Sequence, residues 1–136
     1  MPCPYFEPTR VAAEPGHATA RLPLIDEYDG VCRAASEAIE VPAELRFRCC
    51  NHGNSRGLCR HFPADEIRSS LRYEVLRQTA ATLDLLWVEE REYAPLAWRQ
   101  VKYFVDRDCL ESETGDLCKQ AQILAFCRSY LARFPG

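Results

Sequence analysis

The sequence predicts an α+β fold with three parts: a loop-rich, cysteine-containing N-terminal half, a three-stranded antiparallel meander, and a C-terminal helix packed on the sheet. Three observations lead there. Seven of the nine prolines fall within residues 1–63, where few windows show a helical or a strand period. From residue 70 to residue 105, aromatic and β-branched residues alternate with polar ones. From residue 113 onward apolar residues recur every three or four positions until Pro135-Gly136 ends the chain. The 136 residues suit one domain, 1–136, with 1–63 as a metal-site half and 64–136 as the meander plus helix.

Each element has its own signal. In the first half, short helical pieces are expected near Asp29–Ile39 and Pro42–Arg48. Pro42 before Ala43-Glu44-Leu45 suits a first helical turn, where a missing N–H costs nothing. Leu71, Tyr73 and Val75 alternate with Arg72 and Glu74 as the first strand. Leu83–Val88 is a denser apolar run and the second. Leu96–Val105 is the third, with Trp98, Gln100, Lys102 and Phe104 on one face and Val101, Tyr103 and Val105 on the other. A long helix through 64–92 is the rival, because Ile67, Leu71 and Val75 also fit a four-residue spacing. The C-terminal helix is expected over Glu113–Phe134. Acidic residues stand at its start and Arg128 and Arg133 near its end. Leu117, Ala121, Leu124, Cys127 and Leu131 form its apolar stripe, broadened by Ile123, Tyr130 and Phe134.

Composition excludes some classes. Apolar types at 47% and charged types at 27% argue against disorder over the whole chain. A net charge of −3 offers no basic field for nucleic acid, and no apolar run reaches the roughly 18 residues of a membrane span. Met1-Pro2-Cys3-Pro4 has neither the positive nor the apolar region of a secretion signal. The expectation is a cytoplasmic protein with a protein partner and no nucleic-acid or membrane partner.

The abnormal feature is eight cysteines, at 3, 32, 49, 50, 59, 109, 118 and 127. In a reducing compartment clustered cysteines point to a metal site or reactive thiols rather than to disulfides. The stretch Arg46-Phe-Arg-Cys-Cys-Asn-His-Gly-Asn-Ser-Arg-Gly-Leu-Cys-Arg-His61 is the most informative. It joins Cys49 and Cys50 to Cys59 through a loop of small residues that includes Gly53, Asn54, Ser55 and Gly57. Four arginines against one glutamate between Val41 and His61 would stabilise an anionic thiolate site. With Cys3 and Cys32 the segment supplies four sulfur positions, counting the vicinal pair once. Four is the ligand number of structural zinc and of common iron–sulfur clusters.

The candidate metal ligands are therefore Cys3, Cys32, Cys49, Cys50 and Cys59, and the candidate cofactor set is Cys3, Cys32, Cys50 and Cys59. Zinc sites usually take ligands from tight C-x₂₋₄-C knuckles, which are absent here, so an iron–sulfur cluster, 4Fe–4S, is favoured over zinc. Cys3-Pro4 is similar to the cysteine–proline junction of some ferredoxin-type sites. In an extended segment Cys49 and Cys50 would point opposite ways, so one of them ligates, and Cys50, which opens the loop of small residues leading to Cys59, is favoured. The plain reading is that these cysteines are buried small hydrophobes. Lesser candidates are His52 and His61 as ligands, a Cys59–His61 catalytic pair, and His17, which has no partner in sight. Asp26-Glu27-Tyr28-Asp29 reads as a solvated turn. Cys118 and Cys127, nine residues apart on a helix, face opposite ways and cannot share one ion.

Cys3-Pro-Tyr-Phe-Glu-Pro8 and Cys50-Asn-His-Gly-Asn-Ser-Arg-Gly-Leu-Cys59, followed by Arg-His-Phe-Pro63, resemble a group of small bacterial cysteine-motif proteins. The resemblance covers the first 63 residues and implies a bacterial cytoplasmic origin. It lends no residue a role. The functional expectation is an iron–sulfur protein for electron transfer or redox sensing. The alternatives are a zinc-stapled interaction module without catalysis and a metal-free thiol enzyme or switch.

Overall fold

The computed structural model describes residues 2–13, 22–52, 59–63, 69–91 and 94–135. His17 and the small-residue loop at 53–58 lie outside them. The architecture is α+β with two antiparallel sheets and a C-terminal helix packed against both. Strands β1 (Phe6–Val11), β2 (Tyr28–Cys32) and β3 (Ile39–Glu40) form a small sheet in the order β1-β2-β3. The helical piece expected at Asp29–Ile39 is thus a strand, a run of bends and a second short strand.

Two residues that disguised this sheet explain its form. Pro8 sits in β1, an edge strand, next to a register shift between Pro8 and Arg10. An edge is where a residue without an N–H is tolerated. Gly30 in β2 pairs with Pro8, and a Cβ there would lie 2.2 Å from the Glu7 carbonyl oxygen. The strands approach too closely for any side chain. After β3, helix α1 (Ala43–Leu45) follows Pro42, as its sequence predicts, and then widens into a π-helical turn, Arg46–Asn51.

The second sheet is a meander of four strands rather than three: β4 (Ser70–Gln78), β5 (Thr82–Arg91), β6 (Ala94–Phe104) and β7 (Cys109–Leu110). Strands β4 and β5 occupy most of the region in which a long helix was the rival. At the β4–β5 turn the Thr79 Oγ1 accepts from the N–H groups of Ala81 and Thr82 at 3.3 and 3.0 Å. Leu71, Leu83, Leu85, Val101 and Tyr103 face inward and are buried, while Trp98 on the opposite face is 69% exposed. Full burial of Leu83 or Leu85 contributes about 2–3 kcal/mol each before packing terms.

Helix α2 (Leu117–Arg133) starts later than the apolar pattern suggests. Gly115 at φ 78° turns the chain, and the Asp116 carboxylate caps the helix by accepting from Lys119 N–H at 3.0 Å. Its buried residues are Cys118, Gln122, Ile123, Ala125, Phe126, Cys127 and Ser129, and Leu117 and Phe134 are exposed. The expected stripe is therefore rotated. The helix touches both β1 and β4, so it buries a broad band that includes Cys118 as well as Cys127. One core joins Cys3, Phe6, Leu24 and Tyr28 of the first half to the meander and helix.

The β6–β7 turn is clamped to the helix. Asp108, at φ 48°, receives two hydrogen bonds from Arg128 Nε at 3.0 and 3.1 Å and one from its Nη2 at 2.8 Å. These guanidinium bonds hold the Asp108 carboxyl below its ordinary pKa.

Two expectations follow. Gly30→Ala forces β1 and β2 apart and destabilises the protein by about 1–3 kcal/mol, read from denaturant unfolding. Asp108→Asn tolerates the same backbone but loses the charge. Because the folded-state pKa is lowered, the stabilisation is present above the unfolded carboxyl pKa and fades as pH falls through the folded value. Wild type and D108N should therefore differ most near neutrality and converge in acid, as urea midpoints measured across that range will show.

Candidate metal centre

Four chain segments meet at one place. The N-terminal turn brings Cys3, whose N–H donates to the Cys50 carbonyl at 3.0 Å, while Phe6 N–H donates back to the Cys3 carbonyl at 3.0 Å. Strand β2 brings Cys32, paired across the sheet with Phe6. The π-helical turn brings Cys49 and Cys50. The turn at Cys59, closed by Phe62 N–H to the Cys59 carbonyl at 3.1 Å, brings the fifth cysteine. It is anchored by an edge-to-face contact between Phe62 and Tyr5, ring centroids 5.4 Å apart.

The five cysteines line a single cavity of about 20 Å³, with Tyr5, Phe6, Phe62, Ala34 and His61 completing the wall. Cys3, Cys49 and Cys50 are buried, and Cys32 and Cys59 are half-buried. Burial pushes the Cys50 thiol well up, and the nearby sulfurs of Cys3, Cys59, Cys32 and Cys49 push it further. The Cys49 thiol is raised by burial and then by the neighbouring Cys59 sulfur. Negative charge on Cys49 and Cys50 is thus disfavoured, and a bound cation would reverse that effect. Among the described residues no three His, Cys, Asp or Glu side chains are grouped as a ready single-ion site.

The vicinal pair departs from the sequence expectation. Cys49 and Cys50 lie in a helical turn, where successive side chains are separated by roughly 100° or less rather than 180°. Both therefore reach the same cavity, and Cys49 does not turn away. His61 lines the wall, whereas His52 is exposed, with its ring 6.1 Å from that of Phe47. Cys109, Cys118 and Cys127 stand outside the cavity wall. Cys127 is wholly buried in the core, its thiol pushed up to about 12 by burial.

The acidic run at 26–29 is not a solvated turn. Glu27 is 4% exposed and takes a hydrogen bond from Arg46 Nε, while Arg46 Nη1 donates to Asp29 at 2.7 Å. Asp26 pairs with Arg133 of the helix. Two buried amides complete the frame. Asn51 Oδ1 accepts from Tyr28 N–H at 2.9 Å, and its Nδ2 donates to the carbonyls of Tyr28 at 3.0 Å and Arg46 at 2.9 Å. Gln122 Nε2 donates to the carbonyls of Cys3 at 2.8 Å and Phe6 at 2.9 Å, and its Oε1 accepts from Tyr73 at 3.1 Å. Sequence reasoning passed over both. The one available signal was Gln122, a polar residue within an apolar helix band.

No family model, curated protein or solved structure matches this chain. No helix of the described residues is long and apolar enough to cross a membrane.

Asn51→Ala removes two buried hydrogen bonds and one part-buried one, and leaves both backbone groups of Tyr28 without these partners. A loss of about 2–4 kcal/mol is expected from chemical denaturation, with faster hydrogen exchange in β2 and the π-helical turn.

Proposed function

We propose that this chain is a small metal-binding protein whose Cys3, Cys32, Cys50 and Cys59 hold an iron–sulfur cluster, 4Fe–4S, for electron transfer or redox sensing. The observation that carries this reading is the convergence of five cysteines, from four separate segments, on one cavity. A hydrophobic core has no reason to collect five of eight cysteines at a single point. Thiolate ligation supplies one, because a bound cation offsets the cost of ionising neighbouring buried sulfurs.

The cluster is favoured over a single ion by the wide spacing of the cysteines along the chain, which forms no C-x₂₋₄-C knuckle. Tetrahedral zinc with bonds of about 2.3 Å needs all its sulfurs packed around one point. The described residues hold no such group of three. A polynuclear cluster accepts sulfurs standing further apart around a cavity. When bound, it would supply a one-electron redox centre. The chain's own contribution is the frame. Tyr5, Phe6 and Phe62 keep water from the sulfurs, and the Cys3 and Cys50 backbones are held together by their shared hydrogen bond. No side chain is assigned a catalytic role. The reading places the chain in a reducing, cytoplasmic setting with a protein redox partner.

Zinc is the second reading, and the small cavity volume favours it: about 20 Å³ suits one ion. Zinc would then staple the cysteine-bearing segments and leave the protein as a non-catalytic interaction module.

Anaerobic purification, a visible absorption spectrum and elemental analysis decide between these. Broad visible absorption with stoichiometric iron and sulfide is expected. A colourless zinc protein supports the second reading, and a protein that takes up neither metal under reconstitution overturns both. Cys50→Ser should abolish metal retention. Cys127→Val should retain the metal in full and cost about 1 kcal/mol of stability.

A further inference from the structure

The meander has two faces, and one of them serves the core. Leu71, Leu83, Leu85, Val101 and Tyr103 point inward, and the residues that alternate with them form the outer face. There β4, β5 and β6 frame an open apolar groove of about 720 Å³, with Leu86 and Val88 as its floor and Leu76, Leu96 and Trp98 along its walls. Leu76 and Leu96 are 46% and 51% exposed, and Trp98 is more exposed still. Large apolar side chains exposed together, rather than singly, mark an interaction surface. The groove shares no lining residue with the cysteine cavity.

The strand register says what fits this face. Arg72, Val88 and Trp98 stand in one cross-strand row, and Glu74, Leu86 and Gln100 stand in the next. A two-fold axis parallel to β5, midway between two such faces, lays β4 of one copy over β6 of the other. Arg72 then meets Trp98 of the partner subunit, a guanidinium on an indole face, and the contact occurs twice. Glu74 meets Gln100 of the partner subunit, a carboxylate facing an amide donor, also twice. Val88 and Leu86 meet their own counterparts, as an isologous interface requires. Glu90 and Asp84 do so too, but each is already paired within its chain, to Arg72 at 3.4 Å and to Lys102 at 3.9 Å. They lie toward the ends of the β5 contact, where sheets packed at about −30° diverge. A net charge of −3 adds little repulsion between copies.

We propose that the outer face of the meander is the interface of a symmetric homodimer. Three strands at about 4.8 Å spacing and five residues at about 3.4 Å rise give a footprint of about 14 by 17 Å. That is smaller than the roughly 800 Å² per partner of a standard interface, so the dimer is weak and reversible, with Kd about 1–100 μM. It does not depend on the metal reading.

The test is sedimentation velocity on the full chain from about 1 to 500 μM, with a phosphine reductant present to exclude disulfides between copies. The expected result is a concentration-dependent rise from monomer to dimer mass and no further. Trp98→Ala and Arg72→Ala should each raise Kd about ten-fold, because each removes both copies of one contact. Leu86→Lys sets two ammonium groups against each other on the axis and should abolish the dimer. Circular dichroism checks that the variants fold. Should Leu86→Lys unfold, the substitutions at Trp98 and Arg72, both exposed, carry the test. A monomer at every concentration overturns the proposal. So does a dimer indifferent to Trp98→Ala and Arg72→Ala, whose interface lies elsewhere, and so does assembly beyond the dimer, which a closed two-fold does not permit.

Discussion

The cysteine cavity depends on the side-chain amide of Asn51. Its three hydrogen bonds fasten the π-helical turn to strand β2 through both backbone groups of Tyr28. They replace the ladder bonds that Tyr28 would otherwise seek from another strand. A π-helical turn is a poor structure by itself, and a buried polar partner set of this kind is what makes it persist. The turn places Cys49 and Cys50 on the cavity, and β2 carries Cys32, so one amide fixes three of the five sulfurs relative to one another. The Arg46 pairings with Glu27 and Asp29 fasten the start of the same turn to the same strand. Arg46 is thereby one of the more sheltered cations, its guanidinium pKa raised by these two carboxylates against the opposing effect of burial.

The helix does for the N-terminus what Asn51 does for the turn. Gln122, 1% exposed, reaches from α2 to the Cys3 and Phe6 carbonyls on one side and to Tyr73 of β4 on the other. Tyr28 adds a second tie, donating to the Ala125 carbonyl at 2.9 Å and sharing a hydrogen bond with Ser129 at 2.6 Å. The meander therefore serves the site at a distance. It provides a rigid apolar face on which α2 lies, and α2 in turn holds the segments that bring the cysteines together. The polar groups on the helix are satisfied inside the core, so they specify one docking position where an all-apolar face would permit sliding.

The sulfur chemistry has a tension built into it. Burial and the neighbouring sulfurs push the Cys49 and Cys50 thiols up, so these two resist ionisation in the pocket. A soft cation bound there would reverse that preference, since it takes the place of the protons on sulfur.

Much of the architecture was legible from local pattern. The α+β class, the alternation of Val101 and Tyr103 against Trp98 and Gln100, and helix formation before Pro135 all follow from periodicity, which depends only on neighbours in the chain. The grouping of candidate cysteines into 3, 32, 49, 50 and 59, apart from 109, 118 and 127, was likewise available from spacing and composition. The small sheet was not. Pro8 and Gly30 each read as breakers, and their tolerance comes from an edge position and a close strand approach that exist only once the sheet has formed. The helix face was misread for a related reason. Periodicity assumes one buried side, and α2 is covered by two sheets, so Cys118 and Gln122 are interior although they lie off the apolar stripe. Local sequence determined the strands of the meander, the C-terminal helix and where the sulfurs lie along the chain. Tertiary structure alone decided that Cys49 and Cys50 share a face and that Glu27 is buried, because both depend on long-range bonds from Asn51 and Arg46 that no local pattern encodes.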